Sequence, residues 1–323
     1  MTDFSKTSPS PAEDGPQDAD MYNNTWLSSH NTSSGSPEQN FNSVRIIYIF
    51  ILCICIIGLV RNGIVVCLLG FDIKRSPFTT YILNLAVADF GVSLSFDLAL
   101  ILIQAHTESV LAIAIVLHFV VFMYTVSQLL LTAISIDRCV SVLFPIWYRC
   151  HRPRHFSTVV CTVIWVLSFL FSGSSVTIDL LEHFGAYWMH YSSYIAGSVV
   201  FFPLVTISTM ILFFKMYCTS QQPRRGRVLT IVLITLLFYL LFAFPTNTIY
   251  TVNYFFGYKY DYLAVYGALC SCLNSCINPV IYFLVGRRKR SQGRQSPTLL
   301  LQRAFQEEEE RREEHGTTDQ TSL

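Results

Sequence analysis

The sequence predicts an all-α membrane protein built as a bundle of seven spanning helices. Three observations predict it. Hydrophobic residues make up 52% of the chain and charged residues only 13%, where a soluble domain carries about 25% charge. The apolar residues gather in seven long blocks. The charges fall in the two tails and in short clusters between blocks. This pattern excludes a soluble domain and leaves a polytopic membrane protein.

The blocks run, in order, over Val44–Phe71, Phe78–Gln104, Val110–Phe144, Ser157–Leu181, Tyr191–Tyr217, Val228–Phe255 and Leu263–Val285. Each exceeds the roughly 20 residues that a helix needs to cross the hydrocarbon. Backbone groups in lipid must be paired within their own segment, so the blocks are helices. Barrel strands would be shorter and would alternate in polarity. Residues 1–43 are polar, acidic and rich in Ser, Pro and Asn, and read as a disordered, glycosylated extracellular tail. Residues 44–285 form the bundle, and 286–323 a cytoplasmic helix and tail. The stretch "MTDFSKTSPSPAEDG" lacks an apolar core, so the first helix is expected to act as a signal anchor. In the last segment, the Glu307–Arg311 and Glu308–Arg312 spacings would support a short helix, though a solvated tail is the better reading.

Basic residues set the orientation. Lys74 and Arg75 follow the first block, Arg149, Arg152 and Arg154 the third, Lys215, Arg224, Arg225 and Arg227 the fifth, and Arg287, Arg288, Lys289 and Arg290 the seventh. The alternate loops hold almost none, with Lys259 the exception. Cytoplasmic loops are the basic ones, so the N-terminus is expected outside. Glycosylation sequons at Asn23 and Asn31 agree with that side. None of the ten cysteines falls in the expected outer loops, so no extracellular disulfide is expected.

Polar groups at membrane depth are costly and usually functional. Asp89 lies in the second block, with Asn62 in the first, Ser127 in the third and Asn274, Ser275 and Asn278 in the seventh. Ser127 precedes Arg138 by eleven residues, about 16 Å along nearly one helical face. That puts it at the depth of Asp89. A carboxylate among neutral oxygens suits a small hard cation such as Na⁺. An acid held only by interhelical hydrogen bonds reads equally well. No other cofactor is implied.

Seven helices with Asn62 in the first, "LAVAD" in the second and "DRC" closing the third resemble a rhodopsin-class G-protein-coupled receptor. Trp165, Pro203, Pro245 and "NPVIY" continue the likeness through the fourth to seventh helices. The match covers about Val44–Phe305. More finely, "LLTAISIDRCVSVLFPIWYRCHRP", "FAFP", "RSPFTTYILNLAVAD" and "LQRAF" are similar to the Mas-related receptors. The resemblance implies a seven-helix bundle of the rhodopsin-like type with a short C-terminal amphipathic helix. It implies an extracellular ligand, a heterotrimeric G protein and arrestin as partners, and no catalysis. It implies that Asp137 restrains Arg138 at rest and that Arg138 meets the Gα C-terminal helix on activation. Pro145 then starts the second inner loop and Ile146 enters a Gα groove. Asn278, Pro279, Tyr282, Pro245 and Ala243 would form the activation motifs. Many such receptors join the outer ends of helices four and five by a disulfide, and this chain has no Cys there.

The ligand residues follow less directly. Val120 stands where amine receptors carry an acid, which argues against a simple amine. The seventh block has no Lys for retinal. Asp97, Val120, Tyr124, Asp179, Glu182, Asn247 and Tyr250 are the candidate ligand residues. An acidic, aromatic vestibule suits a cationic peptide or a small cationic amphiphile. The final Thr321–Leu323 matches a PDZ-binding C-terminus. Membrane lipid is the surrounding partner, and nucleic acid is not expected.

Two other classes fit worse. A transporter would show repeat symmetry, broken helices or several buried charges. An intramembrane enzyme would show paired carboxylates, a His-rich metal motif or a Ser/His/Asp set, and none stands out. Two restraints common among rhodopsin-class receptors are also missing. The bulky Trp two residues before the sixth-helix proline is Ala243, and the inner end of that helix reads "PRRGR" where an acid often clamps the motif arginine. Appreciable signalling without ligand is therefore expected. Arg61, beside Asn62 and well inside the first block, has no evident role.

Overall fold

Helices α1 (Pro37–Cys67), α2 (Pro77–Gln104), α3 (Val110–Leu143), α4 (Pro145–Cys150), α5 (Phe156–Leu181), α6 (Tyr187–Ala196), α7 (Phe202–Cys218), α8 (Gly226–Phe256) and α9 (Asp261–Gly286) account for most of the described chain. The computed structural model describes residues 37–73, 76–105, 109–153, 155–181, 187–218, 226–256, 261–286 and 301. Ile47–Leu323 make up one compact unit, which takes in α1 from Ile47 onward and the helices that follow it.

Seven segments are long and apolar enough to cross a membrane: Arg45–Asp72, Pro77–Gln104, Leu111–Leu143, Phe156–Ile178, Tyr191–Lys215, Val228–Phe256 and Val265–Leu284. They match the seven apolar blocks within a few residues. No strand occurs among the described residues. Two details differ from the expectation. The fifth block is not one uniform helix, because α6 passes into α7 through a wide turn at Gly197–Phe201. Pro203 lies just beyond that turn, and a proline cannot donate to the carbonyl four residues back. The turn instead bonds Phe202 N–H to the Gly197 carbonyl, five residues away. The second difference is α4, a six-residue helix in the loop between the third and fourth spans, opened by Pro145.

Helix starts have local causes. Before α2, the Ser76 hydroxyl accepts from Thr79 N–H and the Thr79 hydroxyl accepts from Ser76 N–H. This reciprocal cap satisfies two orphan donors, and Pro77 sits where no donor is needed. Ser109 caps α3 singly, its hydroxyl accepting from Ala112 N–H.

The core is apolar and central. Val65, Phe78, Leu85, Leu130, Ile134, Val205, Leu212, Leu236, Tyr239 and Ala243 pack together from α1, α2, α3, α7 and α8. Helical Leu301 is buried in the same cluster and is the one described residue of the C-terminal tail. The outer faces are also apolar. Ile57 and Val60 of α1, Val166, Phe169 and Leu170 of α5, and Ile207, Met210 and Phe214 of α7 are exposed. On a water-soluble protein such faces would be an aggregation hazard; here they meet lipid tails.

Lipid tails are as apolar as leucine, so close packing and interhelical hydrogen bonds must hold the helices together. Gly58 shows how close they come. A Cβ there would lie 2.4 Å from Cys276 Sγ and 2.7 Å from Ser93 Oγ. Asn62, one turn further on, bonds across the same junction. Pro279 leaves the Ser275 carbonyl without its helical donor, and Asn62 Nδ2 supplies one at 3.0 Å. Trp165 Nε1 donates to Asn84 Oδ1 at 3.0 Å and links α5 to α2. Arg61 is exposed within its span, with no ion pair among the described residues.

Candidate functional site

The polar groups form four levels within the bundle. At the inner level α3 does not end at the Asp-Arg pair; it continues to Leu143. The pair is therefore a buried site rather than a helix terminus. Asp137 Oδ2 accepts from Arg138 Nη2 at 2.7 Å and from the Tyr148 hydroxyl at 2.9 Å. Its Oδ1 accepts from Arg152 Nη2 at 2.8 Å. Arg152 also donates to Ser157 Oγ at 2.8 Å and to the Tyr148 hydroxyl. The Arg138 guanidinium lies 4.8 Å from the Phe78 ring centroid, within cation–π range. One carboxylate thus holds two arginines, and a buried pair of this kind is costly to break from one side. Burial pushes the Tyr148 phenol above its ordinary pKa, so it stays a neutral donor to Asp137. Helix α4 delivers Tyr148 to this cluster and leaves Ile146 outside, 78% exposed. Sequence pattern does not single out Arg152 or Tyr148; by pattern, Arg152 is one more cytoplasmic charge.

The second level is centred on Asp89, which is fully buried. Ser127 Oγ donates to its Oδ1 and Asn278 Nδ2 to its Oδ2, each at 2.7 Å. Ser275 is fully buried on the adjoining α9, and Asn274 is buried with it. Tyr282 is also buried in the main core. Asp89, Ser127, Ser275 and Asn278 offer a carboxylate, two hydroxyls and an amide, and Asn274 adds a second amide. That donor set fits a small hard cation.

The third level is largely illegible from sequence. Gln128 of α3 and Asn247 of α8 face each other as an amide pair. Gln128 Nε2 donates to Asn247 Oδ1 and Asn247 Nδ2 donates to Gln128 Oε1, both at 3.1 Å. The Tyr124 hydroxyl reaches Asn247 Oδ1 and the Tyr239 hydroxyl reaches Gln128 Oε1, each at 3.4 Å. Asn247, expected among the ligand residues, thus spends its side chain on this pair. Gln128 escapes a sequence reading because a single amide in a long apolar run carries no periodic signal.

The outer level is aromatic. Tyr194 stacks on Tyr250 with ring centroids 4.2 Å apart, and Tyr124 lies 5.7 Å from Tyr194. Tyr191 extends the group, 6.4 Å from Tyr250 and 5.6 Å from Tyr254. Val120 is buried on α3, one turn from Tyr124. Tyr191 and Tyr194, three residues apart on α6, join the expected Tyr124 and Tyr250; their helical spacing is the signal that could have found them. Asp97 is 5% exposed, and neither carboxylate oxygen has a hydrogen-bond partner among the described residues. Its neighbour Phe96 packs against the tyrosine cluster. The side chain of Asp179, all of Glu182 and the sequons at Asn23 and Asn31 lie outside the described residues, as does Thr321–Leu323.

Seven membrane-spanning helices, a buried acid-arginine pair at one end and an aromatic cluster at the other define a seven-transmembrane receptor. Known proteins specify it further. Residues 61–282 match the family model of the 7 transmembrane receptor (rhodopsin family). Proto-oncogene Mas of Mus musculus is 34% identical over 309 residues, covering 92% of this chain and 94% of that protein. Mas-related G-protein coupled receptor member H of Rattus norvegicus is 36% identical over 290 residues, covering 88% of this chain and 87% of its own. Member D of Homo sapiens is 35% identical over 299 residues, covering 86% and 93%. The chain belongs to the rhodopsin family of seven-transmembrane receptors and, within it, to the Mas-related G-protein-coupled receptors. It is a multi-pass membrane receptor and not an enzyme.

Proposed function

We propose that this receptor binds a cationic extracellular peptide or amphiphile in its aromatic outer cup and activates heterotrimeric G proteins from its inner face. The observation that carries the reading is the inner cluster. Arg138 is held by a carboxylate that a second arginine and a tyrosine also claim, while Ile146 stands exposed on the adjoining α4. When Arg138 turns away, Asp137 keeps Arg152 and Tyr148 as partners, and an exposed apolar side chain beside the pair suits helix-in-groove docking. On the ligand side, the tyrosine faces and the unpaired Asp97 carboxylate support a cationic partner.

In this reading the receptor lies in the plasma membrane with its N-terminus outside. The basic inner segments support that orientation. Na⁺, when bound, would supply a positive charge beside Asp89, held by Asp89, Ser127, Ser275 and Asn278 with Asn274 nearby. Arrestin would share the inner face, and the Thr321–Leu323 carboxyl end would take a PDZ partner. The receptor also signals in part without ligand, because Ala243 is only a methyl group between the two states. That methyl is fully buried.

The test is agonist-free nucleotide exchange on G proteins in receptor membranes, with solute flux measured in parallel. Arg138→Ala should abolish exchange at unchanged surface expression. Full exchange from that variant, or flux without exchange in the wild type, overturns the reading.

A further inference from the structure

The four hydrogen bonds of the third level share one property: each joins α3 to α8. Tyr124 and Gln128 belong to α3, and Tyr239 and Asn247 to α8. The two amides stand at the centre of the group, and every one of the four bonds ends on one of them. Gln128 and Asn247 are nearly fully buried. A buried amide that loses its partner forfeits more than the bond it made, because the cost of its burial is no longer offset. Separating α3 from α8 at this depth therefore requires the pair to open.

The fold prepares the pair from a third side. A Cβ on Gly197 would lie 2.6 Å from both Cγ and Nδ2 of Asn247. Gly197 opens the wide turn between α6 and α7. Only a glycine lets that backbone press against the amide and hold it toward Gln128. From above, the aromatic cup bears on the same point. Tyr250 stacks on Tyr194, Tyr194 lies against Tyr124, and the Tyr124 hydroxyl touches Asn247. The tyrosine cluster is thus in direct contact with the amide pair.

We infer that Gln128 and Asn247 form a hydrogen-bonded latch between α3 and α8 that holds the receptor at rest, seated by Gly197 and opened through Tyr124. The latch coexists with Arg138 tied to Asp137, so it belongs to the resting arrangement. It stands where Ala243 provides no bulky side chain to do the same. Gln128, Asn247 and Gly197 act here as positioning residues, through the contact between helices that they make. This role for the pair presupposes the proposed activation of G proteins.

The experiment compares basal nucleotide exchange at matched surface expression. Gln128→Met and Asn247→Leu each remove the pair without removing volume, and each should raise exchange by about three- to tenfold. The reciprocal swap, Gln128→Asn with Asn247→Gln, keeps one short and one long amide and should return exchange to within about twofold of wild type. Tyr239→Phe deletes one hydroxyl and no packing, so it folds normally and should give a smaller rise. A merely structural pair would lower expression and exchange together and would not be rescued by the swap. Amide hydrogen exchange over residues 228–240 on receptor alone provides an arm free of any G protein. Single variants should speed it and the swap should restore it. Single variants at or below wild type in both measurements, or a swap as active as the singles, overturn the latch. Faster hydrogen exchange with no nucleotide exchange in any receptor, wild type included, would instead reject coupling and leave the latch standing.

Discussion

Replacing Asn62 by leucine should destabilise the receptor through a carbonyl on another helix. Pro279 has no N–H, so the Ser275 carbonyl of α9 lacks its normal helical donor. Asn62 Nδ2 fills that place at 3.0 Å. Its second bond, to the Gly58 carbonyl at 3.1 Å, matters less, because a carbonyl inside α1 keeps its own helical partner. Asn62→Leu therefore orphans one fully buried acceptor, at a cost of about 1–3 kcal/mol. At roughly 2–4 °C per kcal/mol for a chain of this size, the melting midpoint should fall by several degrees. The mechanism has a sharper signature than the loss itself. Pro279→Ala restores the backbone donor, so in that background Asn62→Leu should cost at least about 1 kcal/mol less. Buried Cys55, Cys161 and Cys272 become reactive on unfolding, so a thiol-reactive fluorophore reports the midpoint. If the two substitutions add within about 0.5 kcal/mol, the carbonyl account is wrong.

Three further outcomes are expected. Ile146→Ala should weaken nucleotide exchange without abolishing it and leave surface expression intact; wild-type exchange from that variant would remove Ile146 from the docking surface. Sodium should lower agonist affinity relative to potassium at equal ionic strength, and Asp89→Asn should erase the difference, since a cation favours only the state that fits it. A wild type indifferent to sodium would end that reading. Asp97→Asn should reduce the potency of a cationic agonist by about tenfold, the worth of one charged contact near 1.4 kcal/mol, and spare a neutral one. Equal loss for both agonists would show that Asp97 only shapes the cup.

The spans are legible in the sequence because lipid imposes a simple rule: about 20 apolar residues per crossing, with basic residues between alternate pairs. Asp89, Ser127 and Asn278 can be brought together because helical rise converts spacing into depth. Arg152 and Tyr148 cannot. They reach Asp137 only because α4 folds the loop back, and no period in a six-residue helix announces that. Gln128 is hidden for another reason: its partner lies 119 residues away, and pairing across that distance leaves no local trace. Ala243 is fully buried. A tryptophan there would add a large ring to a closed core, and overpacking typically costs about 1–3 kcal/mol. Ala243→Trp would confound restraint with strain, so the amide pair is the cleaner handle on basal activity.

Arg61 gives the first helix a vertical coordinate. Its exposed side chain stands eleven residues before Asp72, the inner limit of the span, or about 16 Å along the axis. That is near the middle of a hydrocarbon layer about 30 Å thick. A guanidinium on the lipid face must stretch toward the nearer headgroups or draw water and phosphate inward. The cost rises with bilayer thickness. A thin membrane therefore suits this receptor better than a thick, sterol-rich one, and the difference traces to one side chain.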